Sequence, residues 1–339
     1  MRALILGCAG PELSRTERQF FVETEPFGFI LFQRNCESPE QIRMLTEELR
    51  DCVEHHAPVL IDQEGGRVQR LKPPTWRKAP PAALFGELYR KNPVRAEQAA
   101  RVNARLIAAE LTACGVDVDC LPLLDVRQDG AHDVIGDRAF AGDVETVARL
   151  GRAQAEGLAA GGVAPVMKHI PGHGRAGVDS HHALPRVDAA HDTLTEVDFA
   201  PFKALASLPM AMTAHVIYEA LDAENAATVS AKVVRDSIRG EIGFDGLLMT
   251  DDISMKALAE PLAVSSARAL EAGCDVVLHC NGEMDEMREI AGAVPALSGD
   301  ALRRADMVLT FMERIRREAQ PANREELLAS FAELSGTAS

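Results

Sequence analysis

The stretch Val163-Ala164-Pro165-Val166-Met167-Lys168-His169-Ile170-Pro171-Gly172-His173-Gly174 decides the fold. Its apolar first half reads as a buried strand, and it then breaks abruptly into cations and a glycine-rich loop. The same format recurs along the chain. Short apolar runs span Ala3 to Gly7, Gly28 to Phe32, Pro58 to Ile61, Val116 to Leu124, Val163 to Lys168, Met210 to His215, Gly246 to Thr250 and Asp275 to Cys280. Helical patterns lie between them, among them Ser38 to His55, Val94 to Cys114, Val144 to Ala160, Lys232 to Gly240 and Val264 to Ala272. Closing helices are expected over Met284 to Ala293 and Ala301 to Arg317, with a last one over Glu326 to Leu334. Strands alternating with helices point to parallel strands joined by crossover helices. Eight repeats in about 280 residues match a closed (β/α)8 barrel of the TIM type. An open doubly wound sheet is the alternative, weakened by the lack of a G-x-G-x-x-G after the first strand. The α/β reading is one barrel domain over residues 1–334, with a loose tail from 335 to 339.

The composition of the 339-residue chain is that of a globular protein, 47% hydrophobic and 26% charged. A net charge of −15 argues against nucleic acid and against anionic membrane surfaces as partners. Aromatic residues make up only 4%, with Trp76 the sole tryptophan, so a broad aromatic sugar platform is not expected. The seven scattered cysteines include no C-x-x-C and read as reduced thiols. The N-terminus shows no signal-peptide pattern and no run reaches membrane-spanning length, so a cytoplasmic location is expected.

In a barrel of this kind the chemistry sits at the C-terminal ends of the strands. Those ends carry Arg34-Asn35, Asp62-Gln63-Glu64 with Arg70, Asp125 with Arg138 in the following loop, Lys168-His169, His215, Asp251-Asp252 and Cys280-Asn281. Polar groups after so many apolar strand bodies fit a polar ligand better than packing. A lone Asp252 or Ser38 could be a helix cap. Asp251 ends an apolar run with no metal-ligand spacing nearby, and suits a nucleophile or a stabiliser of positive charge. Asp62 and Arg70 can bind hydroxyls, and Lys168-His169 can bind hydroxyl or carbonyl oxygens. Asp179 and His181, two apart and on one side of an extended chain, form a candidate proton-transfer pair on a loop that glycines allow to move. Together these groups describe glycosidic bond cleavage.

The block Lys168-His169-x-Pro171-Gly172-His173-Gly174, followed by Asp179-Ser180-His181, resembles the signature of family 3 glycoside hydrolases of the β-N-acetylglucosaminidase branch. Asp62-Gln63-Glu64-Gly65-Gly66-Arg67-Val68-x-Arg70, Gly136-Asp137-Arg138-Ala139-Phe140 and Thr250-Asp251-Asp252-x-Ser254-Met255 are similar to its other motifs. The resemblance implies a retaining exo-hydrolase that removes terminal β-linked N-acetylglucosamine. It implies Asp251 as nucleophile, His181 as acid/base paired with Asp179, and Asp62, Arg70, Arg138, Lys168 and His169 as the residues that hold the sugar. It further implies no cofactor, no metal and a monomer acting on N-acetylglucosamine joined to anhydro-muramyl peptides in peptidoglycan recycling. The chain departs from the pattern at Ala226-Ala227-Thr228, which lacks the expected proline, and at the doubled His181-His182. Residues Pro73 to Pro81 read as a loop that touches the aglycone or as a rigid connector. Phosphorolysis is the nearest rival, since a histidine acid tolerates an anionic phosphate nucleophile. A zinc-dependent barrel hydrolase is the more distant one, because the histidines show no H-x-H after strand one and no H-E-x-x-H.

Overall fold

The computed structural model describes residues 1–128, 130, 133–177, 184–319 and 322–336. Eight parallel strands close into a barrel: β1 (Arg2–Gly7), β2 (Pro26–Leu31), β3 (Val59–Ile61), β4 (Val118–Asp119), β5 (Ala164–Ile170), β7 (Met210–Thr213), β9 (Leu247–Asp252) and β10 (Val276–His279). The order around the barrel is β1-β10-β9-β7-β5-β4-β3-β2, so each strand pairs with its sequence neighbours within the barrel and the last closes onto the first. Leu4 stands opposite Val277, and Val166 opposite Met210. The open doubly wound alternative is thereby excluded. A separate two-stranded sheet pairs β6 (Arg186–Val187) with β8 (Ile217–Tyr218).

The strands close because their bodies are apolar on both faces. Leu4, Ile5, Leu6, Val59, Leu60, Val166, Met167, Leu247 and Leu248 have no solvent exposure, as parallel strands under a helical layer require. The fourth run is the exception. An unbroken strand was expected over Val116 to Leu124, yet β4 has two residues. Pro122 carries no N–H for a ladder, and Leu121–Pro122 is cis. The segment still lines β5, because Leu121 and Pro122 carbonyls accept from the amides of Val166 and Lys168 at 2.8 and 3.0 Å.

Helix boundaries follow local chemistry. Ser38 accepts from the Gln41 amide and Pro39 occupies the first turn of Pro39–Arg50. Asp143 caps Val144–Ala160 through the Thr146 amide at 2.9 Å. Ser14 and Glu17 form a reciprocal capping box on Arg15–Thr24. The pattern expected over Lys232 to Gly240 is a π-type helix at Val233–Glu241. Helix Pro93–Ala113 packs closely on Val144–Ala160 where Gly157 lies: a Cβ there would sit 2.4 Å from the Arg101 carbonyl oxygen. The final helix spans Arg324–Ser335, capped by Gly336 in the left-handed region. The rest of the expected tail, 337–339, lies outside the described residues. Among the described residues no helix is long and apolar enough to cross a membrane.

Because every barrel strand runs the same way, all their C-terminal ends open on one side. This single consequence of the topology gathers the polar strand ends into a site.

Candidate active site

A cavity of about 420 Å³ opens at the C-terminal mouth, and Asp62, Arg70, Arg138, Lys168, His169 and Asp251 all line it. The structure therefore brings together six of the eight residues singled out in the sequence. The other two, Asp179 and His181, lie outside the described residues.

The β3 end is shaped by buried Gln63. Its side-chain oxygen accepts from the amides of Arg70 and Leu71 at 2.9 and 3.0 Å, folding the segment back so that Arg70 lies over Asp62. Gly65 allows the reversal at φ +96°; a Cβ there would meet the Pro80 carbonyl oxygen at 2.3 Å. Arg70 then donates to Asp62 at 3.0 Å and stacks over the Phe32 ring at 4.8 Å.

Lys168 is the hub. Its ammonium, 2% exposed, sits 2.7 Å from Asp62 and 2.7 Å from Glu64. Arg138 closes the row with a bidentate pair to Glu64 at 2.8 and 2.9 Å. Charges thus alternate from Arg70 through Asp62, Lys168 and Glu64 to Arg138. Burial alone would raise both carboxyls. Lys168 and Arg70 outweigh it at Asp62, and Arg138 and Lys168 outweigh it at Glu64, so both are held below the usual carboxylate range. Burial alone would lower Lys168, but the two carboxylates push it above the usual lysine value.

His169 is oriented from behind. Asp125, fully buried, accepts from His169 Nδ1 at 2.8 Å and from the amides of His169 and His173 at 3.2 and 2.7 Å. Against the pull of burial, the His169 side chain and, to a smaller degree, His173 with its amide hold Asp125 down at about 2. As an ionised acceptor it fixes the proton on Nδ1 and leaves Nε2 for a ligand. The Lys168–His169 peptide is cis. His173 packs edge-on against His169 with ring centroids 5.7 Å apart, and burial pushes it down to about 4, so it is neutral.

The two adjacent aspartates of β9 have different employment. Asp252 Oδ1 accepts from the amides of Ser254 and Cys280, both at 3.2 Å, and its Oδ2 takes the Ser254 hydroxyl at 2.8 Å. It is a turn cap, as its position allowed. Among the described residues Asp251 receives only the Asp252 amide, on Oδ1 at 2.8 Å. Its Oδ2 has no hydrogen-bond partner among the described residues. Burial would raise Asp251, but His169, His215 and the Asp252 amide outweigh that and keep it below the usual value. Ile30, Met212, Met255 and Leu278 supply the apolar lining.

The sequence reading gave Glu64, Asp125 and His173 no role in holding the site. Glu64 was detectable in principle: it stands two residues after Asp62, the spacing that returns a side chain to one face of extended chain. The stretch from Pro73 to Pro81 does not line the cavity. It is a connector held by Gln69, which accepts from the Ala79 amide at 3.1 Å and donates to Arg77 O at 2.6 Å. Among the described residues no group of three or more His, Cys, Asp or Glu is arranged to hold a metal ion.

A parallel barrel with an ionised carboxylate and a row of alternating charges at its mouth is an arrangement that suits a glycoside hydrolase. The model of the glycosyl hydrolase family 3 N-terminal domain matches residues 8–310, and the chain belongs to that family. It is 42% identical over 282 residues to a beta-hexosaminidase of Alkalilimnicola ehrlichii, covering 82% of this chain and 80% of that one. It is 36% identical over 318 residues to a beta-hexosaminidase of Bordetella avium, covering 93% and 87%. NagZ from Neisseria gonorrhoeae, solved in complex with N-trifluoroacetyl-D-glucosamine, superposes with a TM-score of 0.87 at 32% identity, covering 98% of both chains. A family 3 β-N-acetylglucosaminidase from Paenibacillus sp. str. FPU-7 gives 0.86 at 30% identity, covering 98% of this chain and 67% of the other.

Proposed function

We propose that the protein is a retaining exo-β-N-acetylglucosaminidase with Asp251 as nucleophile and His181, paired with Asp179, as acid/base. One observation carries the nucleophile. Of the four carboxylates that line the cavity, Asp62 and Glu64 are committed to cations and Asp252 to a turn, whereas Asp251 keeps an oxygen without a partner among the described residues. A nucleophile needs an ionised carboxylate with a free lone pair.

In the first step Asp251 Oδ2 attacks the anomeric carbon while the bond to the leaving oxygen breaks and His181 gives that oxygen a proton. The product is a glycosyl ester on Asp251. In the second, His181 takes a proton from water, the water oxygen bonds to the anomeric carbon, and Asp251 leaves as carboxylate. Asp62, Arg70, Arg138, Lys168 and His169 hold the sugar hydroxyls. This assignment is supported by the charge row, whose alternating partners fix each donor before substrate arrives and so reduce the cost of ordering.

The substrate we favour is N-acetylglucosamine linked to anhydro-muramyl peptides, as in cytoplasmic peptidoglycan recycling. Arg34 supports an anionic aglycone. It lines the cavity, and its guanidinium bonds only the carbonyls of Cys8 and Cys280, so its charge is not spent on a carboxylate of the described chain. Seven free cysteines, six of them buried, suit a reducing compartment.

The test is cleavage of a chromogenic β-N-acetylglucosaminide and of the matching β-glucoside, with the product anomer read by NMR. We expect fast cleavage of the first alone and a first-formed β-anomer. Equal cleavage of both would reject the specificity, an α-anomer would reject retention, and sugar phosphate formed in phosphate buffer would turn the reading toward phosphorolysis.

A further inference from the structure

Two features of the sequence take no part in the chemistry above: His215, just beyond β7, and Thr228, in the segment that lacks the expected proline. Both are fully buried, as is Thr213 at the end of β7. They touch one another and the backbone that carries Asp251. The Asp251 amide donates to Thr213 Oγ1 at 3.3 Å. Thr213 Oγ1 and Thr228 Oγ1 are 2.8 Å apart. His215 Nδ1 lies 2.7 Å from Thr228 Oγ1, and His215 Nε2 lies 3.0 Å from the Asp252 carbonyl oxygen.

Counting protons gives this chain a direction. A carbonyl only accepts, so Nε2 of His215 carries a hydrogen. In the neutral ring Nδ1 then accepts, and the Thr228 hydroxyl supplies the donor. Thr213 Oγ1 already accepts from the Asp251 amide, and its own hydrogen goes to Thr228. The run is Asp251 N–H to Thr213 to Thr228 to His215 to Asp252 C=O, with each of the three side chains both receiving and giving. The Ala214 carbonyl, 3.2 Å from Thr228 Oγ1, is a longer competing acceptor.

We propose that Thr213, Thr228 and His215 are positioning residues for Asp251, forming a one-way hydrogen-bond chain that grips the β9 backbone on both sides of its carboxylate. The proposal rests on the reading of Asp251 as nucleophile. The chain starts at the Asp251 amide and returns to the Asp252 carbonyl, while the Asp252 amide holds Asp251 Oδ1. Movement at Asp252 therefore moves the nucleophile. Breaking one link strands buried donors and acceptors, which favours a shifted backbone. None of the three residues lines the cavity, so their loss should act on turnover more than on substrate binding.

Thr228→Val keeps the shape and deletes the hydroxyl, and Thr228→Ser restores it. With a chromogenic β-N-acetylglucosaminide we expect Thr228→Val to lower kcat about 10- to 100-fold, with KM changed less than about threefold, as a small misplacement of a reacting group does. Thr228→Ser should return kcat to within about threefold of the natural chain. If Thr228→Val does not fold, Thr213→Val cuts the same chain one link nearer the nucleophile. An unchanged kcat in a folded Val variant overturns the proposal, as does a serine variant as slow as the valine one. Asp251→Ala separates the two readings: an inactive Asp251→Ala beside a fully active Thr228→Val rejects the positioning chain alone, whereas an active Asp251→Ala rejects the nucleophile.

Discussion

The barrel carries a charge network at each end, built from the same residue types. At the mouth, Arg70, Asp62, Lys168, Glu64 and Arg138 alternate around the cavity. At the opposite end, Arg239 and Arg304 both reach Asp275, just before β10, and Arg303 and Arg304 reach Asp245, just before β9. The lower network spends itself on the chain. Arg239 also donates to the carbonyls of Phe244 and Gly246, and Asp275 accepts from the Leu248 amide at 2.8 Å, so strand starts are tied to helix Gly299–Glu318. Asp245, Arg303 and Arg304 also line a surface cavity of about 890 Å³, but Asp275 and Arg239 do not, whereas all five members of the upper network line the mouth. The same chemistry thus makes a staple at Asp275, where it closes on backbone, and the proposed cradle at the mouth, where every member faces the cavity, the division expected between the two faces of such barrels.

Substitutions at the two ends should separate these roles. The largest effect falls at Asp251: replacement by alanine should lower kcat by about 10⁴-fold or more with the fold retained, since among the described residues the carboxylate holds only the neighbouring Asp252 amide. Steady-state rates with circular dichroism check this. Asp275→Ala should cost about 3–5 kcal/mol of stability by leaving two arginines short of a partner. Its kcat per folded molecule should stay near that of the natural chain, so a specific kcat loss there would break the comparison. Lys168→Ala should lower kcat/KM about 100-fold or more, the worth of one or two charged hydrogen bonds to substrate. An equal fall in stability without that rate effect would make the upper network a staple too.

A smaller effect concerns Asp119, fully buried beneath the cradle with one oxygen receiving the Gln63 amide at 3.0 Å. Burial raises its carboxyl from 3.8 to about 8 despite that bond and Lys168. A carboxyl raised by folding contributes stability below its unfolded value, and that contribution is lost as pH climbs toward the folded one. Asp119→Asn should therefore raise the melting temperature more at pH 8 than at pH 5; a pH-independent change would show that Asp119 is ionised in the fold. The smallest effect is at Arg34: alanine there should raise KM for a carboxylate-bearing aglycone several-fold and leave a neutral chromogenic substrate unaffected.

Most of the barrel was legible because each strand body is an unbroken apolar run and each end turns polar within one or two residues. Where a backbone rule intervened, at Pro122, the run misjudged the strand's length. The cradle residues were legible as motifs, but their pairing was not. Which carboxylate holds Lys168 depends on how Gln63 folds the chain back, a contact between residues seven and eight apart through one buried amide. Asp251 and Asp252 are alike as sequence neighbours; only the Ser254 and Cys280 contacts distinguish them. The link from Thr213 to Thr228 joins the end of β7 to a short 3-10 turn at Ala227–Val229 and leaves no periodic trace. Asp179 and His181 were read from spacing and remain proposals, to be probed by comparing good and poor leaving groups in His181→Ala.

The central claim is that Asp251 forms a covalent bond to the sugar. A β-N-acetylglucosaminyl fluoride bearing a second fluorine at C5 slows both steps while keeping the acetamido group, so the ester should accumulate. Peptide mass spectrometry after brief incubation and acid quench should then find the added sugar on the peptide containing Asp251, with fragmentation placing it on that residue and not on Asp252. A label on Asp252 or on any other residue, or rapid turnover with no label at all, would contradict the account.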